Sequence, residues 1–280
     1  MGKGFIKQFT KHKLAMTAAF FFAAEVLLVI ILPAIMKLDP YSITSIGINK
    51  EPTKGFILGT DGSGRDLFAR LVYGGRTSIY VGVMSTLISV AIGLPLGLIA
   101  GYYRGPLDMV IMRIIDVFMS IPSLILALVF VAIFEPSVTN IIVIIGVTGW
   151  TSIARVIRSN VLVVRELDYV DAARVSGEKN GKILLKYVLP NSVTPLWVAM
   201  TFHVSSAILQ ESSLSFLGAG IQIPKSSWGN MINSAKNLAV LVRRPWAWIP
   251  AGLLLMLTVI SINLVGEGIR DALDPKMRAR

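Results

Sequence analysis

Few side chains in this sequence could carry chemistry, and most of those lie within or beside long apolar runs. Glu211 follows Ala207, Ile208, Leu209 and Gln210, and stands eight residues, about two helical turns, after His203, with Met200 just before. Two readings of Glu211 stand: an interfacial carboxylate in water, or an acid lining a passage where it meets the amino group of a passing substrate. His203, between Phe202 and Val204, could share that face, although a single imidazole there more often packs than ligates. Two histidines and no cysteine in 280 residues do not supply a metal centre. Gly59, Gly62 and Gly64 beside Asp61, Arg65 and Asp66 invite an anion nest, but no Gly-Lys-Ser/Thr follows and no buried strand precedes them. Neither HExxH nor a nucleophile with a histidine partner is present. The chain is therefore expected not to be an enzyme and to hold no cofactor of its own.

One polar, basic stretch stands out between apolar runs, Asp168 to Pro190, DYVDAARVSGEKNGKILLKYVLP. Leu167, Val170 and Arg174 or Val175 recur at helical spacing, and Ala172 and Ala173 leave a low surface that another protein could approach closely. Gly177 interrupts the pattern, and Ile183, Leu184, Tyr187 and Val188 resume it until Pro190. The spacing predicts a helix, a turn and a helix, either docked on another protein or lying in the headgroup layer.

The elements that position these residues belong in a bilayer. The chain is 54% hydrophobic and 15% charged, which argues against a soluble globular class. Leu14 to Met36 is apolar except for Glu25, is too long for the h-region of a signal peptide, and reads as a retained first span. Glu25 is expected to pack against a partner subunit. Residues 37–76 read as a polar loop. A second span lies in the 27 uncharged residues between Arg76 and Arg104, with Gly93, Pro95, Gly97 and Gly101 allowing bending or close packing. A third runs from about Val110 to Phe134, with an Arg113–Asp116 pair expected near its start and a kink at Pro122. The fourth is Pro136 to Ala154. The fifth begins near Asn191 or Ser192, either of which can cap it, with Pro195 in its first turn. Residues 213–244 form a longer loop with a short helix dipping back, and the sixth span is Pro245 to Gly266 with Trp246 and Trp248 at its edge.

Six spans put both ends on one side. Counting lysines and arginines, the side that holds the termini and the 168–190 stretch has 17, and the other has 10. By the positive-inside rule that side is cytoplasmic. The net charge of +11 is spread over loops beside spans and not gathered on one face, which excludes a nucleic-acid binder.

The order Asp171, Ala172, Ala173, Arg174, then Gly177, then Leu189 and Pro190 resembles the EAA loop of permease subunits in bacterial ABC importers. Asp171 replaces the usual glutamate, and Tyr187 stands where that pattern has isoleucine. The run GTDGSGRDLFARLVYGGR, the set Arg113, Asp116 and Pro122 and the ending EGIRDALDPKMRAR are similar to the dipeptide, oligopeptide and nickel branch, whereas the run AILQESSLSFLGAG, with its acidic residue, resembles the peptide-importer permeases more than the nickel ones. The resemblance implies an all-α polytopic membrane protein with six transmembrane helices and the type I ABC importer permease fold. It implies an N-terminal segment with the first span and an extracytoplasmic loop (1–76), a permease core (77–268) with its coupling loop at about 155–190, and a cytoplasmic tail (269–280). It further implies a bacterial cell membrane, two ATPase subunits that bind ATP and Mg, a second homologous permease subunit, and an extracytoplasmic substrate-binding protein. Di- or oligopeptides are the expected cargo, with Glu211, His203 and Met200 on the pathway; a nickel or metal-chelate importer is the alternative. A channel or intramembrane protease would need a filter, paired aspartates or a serine and histidine within spans, and none is visible.

Overall fold

The computed structural model describes residues 8–135 and 137–273. Lys3, Lys7, Pro136 and the tail from residue 274, which includes the Asp-Pro of the expected ending, lie outside the described residues. The long helices are α1 (Lys13–Ile35), α2 (Leu67–Tyr103), α3 (Gly105–Ser120), α4 (Ser123–Ile133) and α5 (Val138–Val164). Next come α6 (Asp168–Val175), α7 (Asn180–Ile183), a π turn (Leu184–Val188) and α8 (Leu189–Ser192). The chain closes with α9 (Thr194–Leu217), α10 (Trp228–Asn233), α11 (Leu238–Arg243) and α12 (Ile249–Leu273). Four of these are long and apolar enough to cross a membrane alone, and two bent pairs bring the number to six.

α2 is the axis of the bundle because one of its faces is built from small residues. Ser78, Gly82, Ser85, Ser89, Gly93, Gly97 and Gly101 recur every three or four positions, and all are buried. An added Cβ on Gly93 would stand 2.6 Å from the Trp150 carbonyl oxygen, and one on Gly101 would stand 2.7 Å from Val161 Cβ. α5 turns Ile141, Ile145, Ile153, Ile157 and Val161 inward, each at most 1% exposed. Helices in lipid gain little from hydrophobic sequestration, so this closeness and the hydrogen bonds it permits hold the pair together. Ser85 donates to the Ile142 carbonyl at 3.1 Å and Ser89 to that of Gly146 at 2.8 Å. Close packing is what the geometry at these glycines shows.

Several boundaries depart from the sequence reading. α2 starts at Leu67 and not after Arg76, capped by Asp66, whose carboxylate accepts from Phe68 N at 2.9 Å. The third span is not one kinked helix: α3 and α4 meet at 86°. Ile121, which precedes Pro122, is driven into extended backbone (φ −100°, ψ 129°), and no helical hydrogen-bond ladder crosses it. Asp116 pairs with Arg155 of α5 at 3.1 Å instead of with Arg113. Neither Asn191 nor Ser192 caps α9; both donate back to carbonyls four residues earlier, and the chain bends 59° before Thr194. α12 runs from Ile249 to Leu273, so the last span starts later and continues into the expected tail. Glu25 turns toward its own chain, where Thr258 of α12 lies 2.8 Å from both carboxyl oxygens, and it is 5% exposed. The pairing of α1 with α12 brings a hydroxyl donor to it from within the chain, so no partner subunit is needed to supply one.

Candidate functional site

The 168–190 stretch folds as a helix, a turn and a helix set against one end of the bundle. Its first helix ends in a full Schellman motif: Gly177 N donates to Arg174 O at 3.0 Å and Glu178 N to Ala173 O at 3.2 Å. That motif requires left-handed backbone, and Gly177 has φ +79°. α7 then leads into the π turn, where Leu189 N reaches back five residues to Leu184 O. Pro190 follows with no N–H of its own, and the widened turn makes room for its ring.

Two faces of this segment differ. Val170, Ala173, Ile183, Leu184 and Val188 are buried against Leu98 and Tyr102 of α2, Ile157, Val161 and Val164 of α5, and Leu196 of α9. Ala173 thus belongs to the inner face and not to the open surface expected of it. The outward face carries Leu167, Tyr169, Asp171, Ala172, Val175 (90% exposed) and Leu185. Polar ties fix the seat. Arg174 bonds Asp171 at 2.5 Å and the Arg165 carbonyl at 3.2 Å, Arg165 bonds the Tyr102 carbonyl, and Tyr102 O–H donates to Asn180 at 3.2 Å. The Lys182 ammonium, 2.7 Å away, holds the Glu178 carboxyl below the usual carboxylate range. Asp108 of α3 takes a bidentate bond from Arg158 of α5 at 2.5 and 2.6 Å. Packed and hydrogen-bonded groups thus join α6 to α2, α5 and α9, and α5 in turn to α3.

A second feature is an open cavity of about 590 Å³ at the α3–α4 break, walled by α5 and α9. Phe118, Thr148, Ser152, His203, Ser206 and Gln210 are among its lining residues, and no Asp, Glu, Lys or Arg joins them among the described residues. His203 Nδ1 lies 3.1 Å from Thr86 Oγ1, and the Thr86 hydroxyl also reaches the Gly82 carbonyl at 2.8 Å. Met200 does not reach this cavity; it packs half-buried against the core at the α6 end.

Glu211 is not on the wall either. It is 0% exposed, and accepts from Ser215 at 2.7 Å, Ser78 at 2.9 Å and Ser212 at 3.4 Å. Those hydroxyls in turn hold backbone: Trp228 N donates to Ser78 Oγ at 3.3 Å and Ile221 N to Ser215 Oγ at 3.0 Å. Trp228 opens α10 and is fully buried, which makes α10 the short helix dipping back that the loop predicted. The carboxylate thus ties the 221–228 segment to α2 and α9. Helical geometry explains the miss: at 100° per residue Glu211 lies about 80° around from His203, whereas Gln210 lies within about 20° of it. Replacing Glu211 by glutamine keeps one acceptor and is expected to cost about 1–3 kcal/mol, and leucine more, because three hydroxyls lose their acceptor. Thermal unfolding in detergent measures this; equal stability of all three forms would remove the network from the account.

Residues 93–279 match the family described as the binding-protein-dependent transport system inner membrane component. That match spans more than half of the chain. The chain belongs to this family. Residues 1–52 match the N-terminal transmembrane domain of oligopeptide transport permease C. The chain is similar to the dipeptide transport system permease protein DppC of Alkalihalophilus pseudofirmus, 37% identical over 98% of this chain and 89% of that protein. Similar relatives include the oligopeptide permease OppC of Bacillus subtilis (35% identity, 97% of this chain, 88% of that protein) and the glutathione transport system permease GsiD of Pectobacterium atrosepticum (40% identity, 83% and 76%). Among solved structures, an inward-facing MetNI methionine ABC transporter superposes with a TM-score of 0.63 at 21% identity, over 74% of this chain and 98% of that one. At that identity the likeness speaks for the fold, the type I importer permease fold. As a family member the chain is a multi-pass membrane protein and a permease subunit of an ABC importer.

Proposed function

We propose that this permease carries di- or oligopeptides into the cytoplasm, driven by separate ATPase subunits that act on the 168–190 segment. The observation that carries the reading is the two-sided seat of that segment: an inner face packed into the ends of α2, α5 and α9, and an outer face with Val175, Leu185 and Tyr169 exposed. Exposed apolar side chains around small Ala172 suit a protein groove better than water. Asp171, Ala172, Ala173, Arg174, Gly177, Leu189 and Pro190 are the residues we assign to coupling, some by contact and some by shaping the turn. ATP and Mg reside on the two ATPase subunits, a second homologous permease completes the passage, and a substrate-binding protein delivers cargo from outside. Both termini lie in the cytoplasm.

Cargo follows from the cavity wall and the relatives. Hydroxyls, one amide and one imidazole can hydrogen-bond a peptide backbone of any sequence, and the absence of fixed charge on the wall suits varied side chains. A nickel ion would need a firmer donor set than one histidine among hydroxyls. The relatives' names point the same way, being dipeptide, oligopeptide and glutathione systems. Vesicles holding the assembled complex are expected to accumulate labelled short peptides only with ATP. Paired substitution of His203 and Gln210 by leucine should cut that uptake about tenfold, since two cavity hydrogen-bonding groups are lost. Uptake of a nickel chelate without peptide would sink the cargo assignment, and uptake without ATPase subunits would sink the importer reading.

A further inference from the structure

At the end of the bundle opposite α6, a recess of about 290 Å³ opens between residues 49–70 and residues 215–247. Arg65, Arg70 and Arg244 line it together with Asp61. Arg65 and Arg70 are 5% and 4% exposed, and both lean on the one Asp61 carboxylate, at 2.8 and 3.4 Å. Asp66 is no second counter-ion, being held at the α2 N-terminus by Phe68 N at 2.9 Å, with no ion pair to either arginine. Arg244 adds a third guanidinium, and its side chain has no hydrogen-bond acceptor among the described residues. Two largely buried cations sharing one anion leave a net positive charge facing the recess, which a further anion would balance.

We infer that this recess is a binding site for a carboxylate. Guanidinium forks match a planar carboxylate in two parallel hydrogen bonds, and Arg65 Nη1, Arg70 Nη2 and the Arg244 fork are the donors left for it. The volume admits an acidic side chain or the terminal residue of a peptide, not a whole peptide. Ser215 in its lining donates to Glu211, so an occupant here touches the network that pins the 221–228 segment. The two natural sources, the terminal carboxylate of cargo or an acidic side chain of the binding protein, rest on the importer reading above; the site itself does not.

The test uses the assembled complex in nanodiscs and an arginine reagent, phenylglyoxal, with modification read by peptide mass spectrometry. Arg243 is the internal control, adjacent, exposed and not part of the recess. Sodium acetate is expected to slow modification of Arg244 by about threefold relative to sodium chloride and acetamide at matched ionic strength, while Arg243 is unchanged. Equal rates for Arg244 with acetate and acetamide, or equal slowing of both arginines, would overturn the site. Dialanine protecting where dialanine amide does not identifies cargo as the source, and protection by the purified binding protein identifies the side chain. Acetate protection with no ATP-dependent peptide uptake would leave the recess standing and remove the importer reading alone.

Discussion

Substituting valine for Gly97 is expected to abolish accumulation of the folded chain. A Cβ at that position would fall against the Ala154 carbonyl oxygen well inside van der Waals contact, and would stand 3.0 Å from both Ala154 Cα and Ile157 Cβ. The obstacles are α5 backbone and the root of a fully buried side chain, so no rotamer change relieves them. Only separation of α2 from α5 would, and that would also pull Ser85 and Ser89 from the Ile142 and Gly146 carbonyls. Overpacking of this kind costs about 1–3 kcal/mol where side chains can adjust, and more here because they cannot. Detergent-solubilised yield and thermal unfolding measure it, with Gly252→Val as the control, since nothing lies within 4 Å of a Cβ there. Normal yield and midpoint for Gly97→Val would mean that the α2–α5 seam is looser than this geometry.

The same seam shows what a sequence can and cannot disclose about such a chain. Apolar runs reported the number of spans and their order, because the bilayer demands about 20 apolar residues per crossing whatever packs beside them. They did not report where helices end in protein: Arg70 and Arg76 belong to α2, yet they look like loop residues when the polar partners, Asp61 and the Pro224 carbonyl for Arg70, are unseen. Partners far along the chain are the common cause of the misjudged residues. Glu25 needed Thr258, 233 positions away, Glu211 needed Ser78, 133 positions away, and Asp116 chose Arg155 over the nearer Arg113. The 168–190 segment was legible because its signals are local, a glycine at a left-handed turn and apolar residues at helical spacing. For the cavity, one more local rule would have served: from His203 the face runs to Ser206 and Gln210, which line it, and passes Glu211 by.

Gly177→Pro is expected to reduce ATP-driven peptide uptake by more than about tenfold while leaving the complex assembled, because it removes the turn and not the helices it joins. Proline holds φ near −65°, against the +79° of Gly177, and it cannot donate the bond now made to Arg174 O. The Schellman bonds fix the angle at which α6 meets α7, so their loss leaves Val170 and Ala173 without a fixed relation to Ile183, Leu184 and Val188 on the shared inner face. Space is not the issue, since a Cβ at 177 would meet nothing within 4 Å. Gly177→Asn, which tolerates left-handed backbone, should therefore retain most of the uptake, and Gly177→Ala should fall between at a cost of about 1–2 kcal/mol to the turn. This ordering separates conformation from bulk, for bulk alone would rank asparagine worse than alanine. Co-purification of the ATPase subunits with the proline variant, together with their basal hydrolysis rate, distinguishes lost transmission from lost docking. Wild-type uptake by that variant would break the link between the turn and transport, whereas ATP hydrolysis that continues without peptide movement is what a displaced lever would produce.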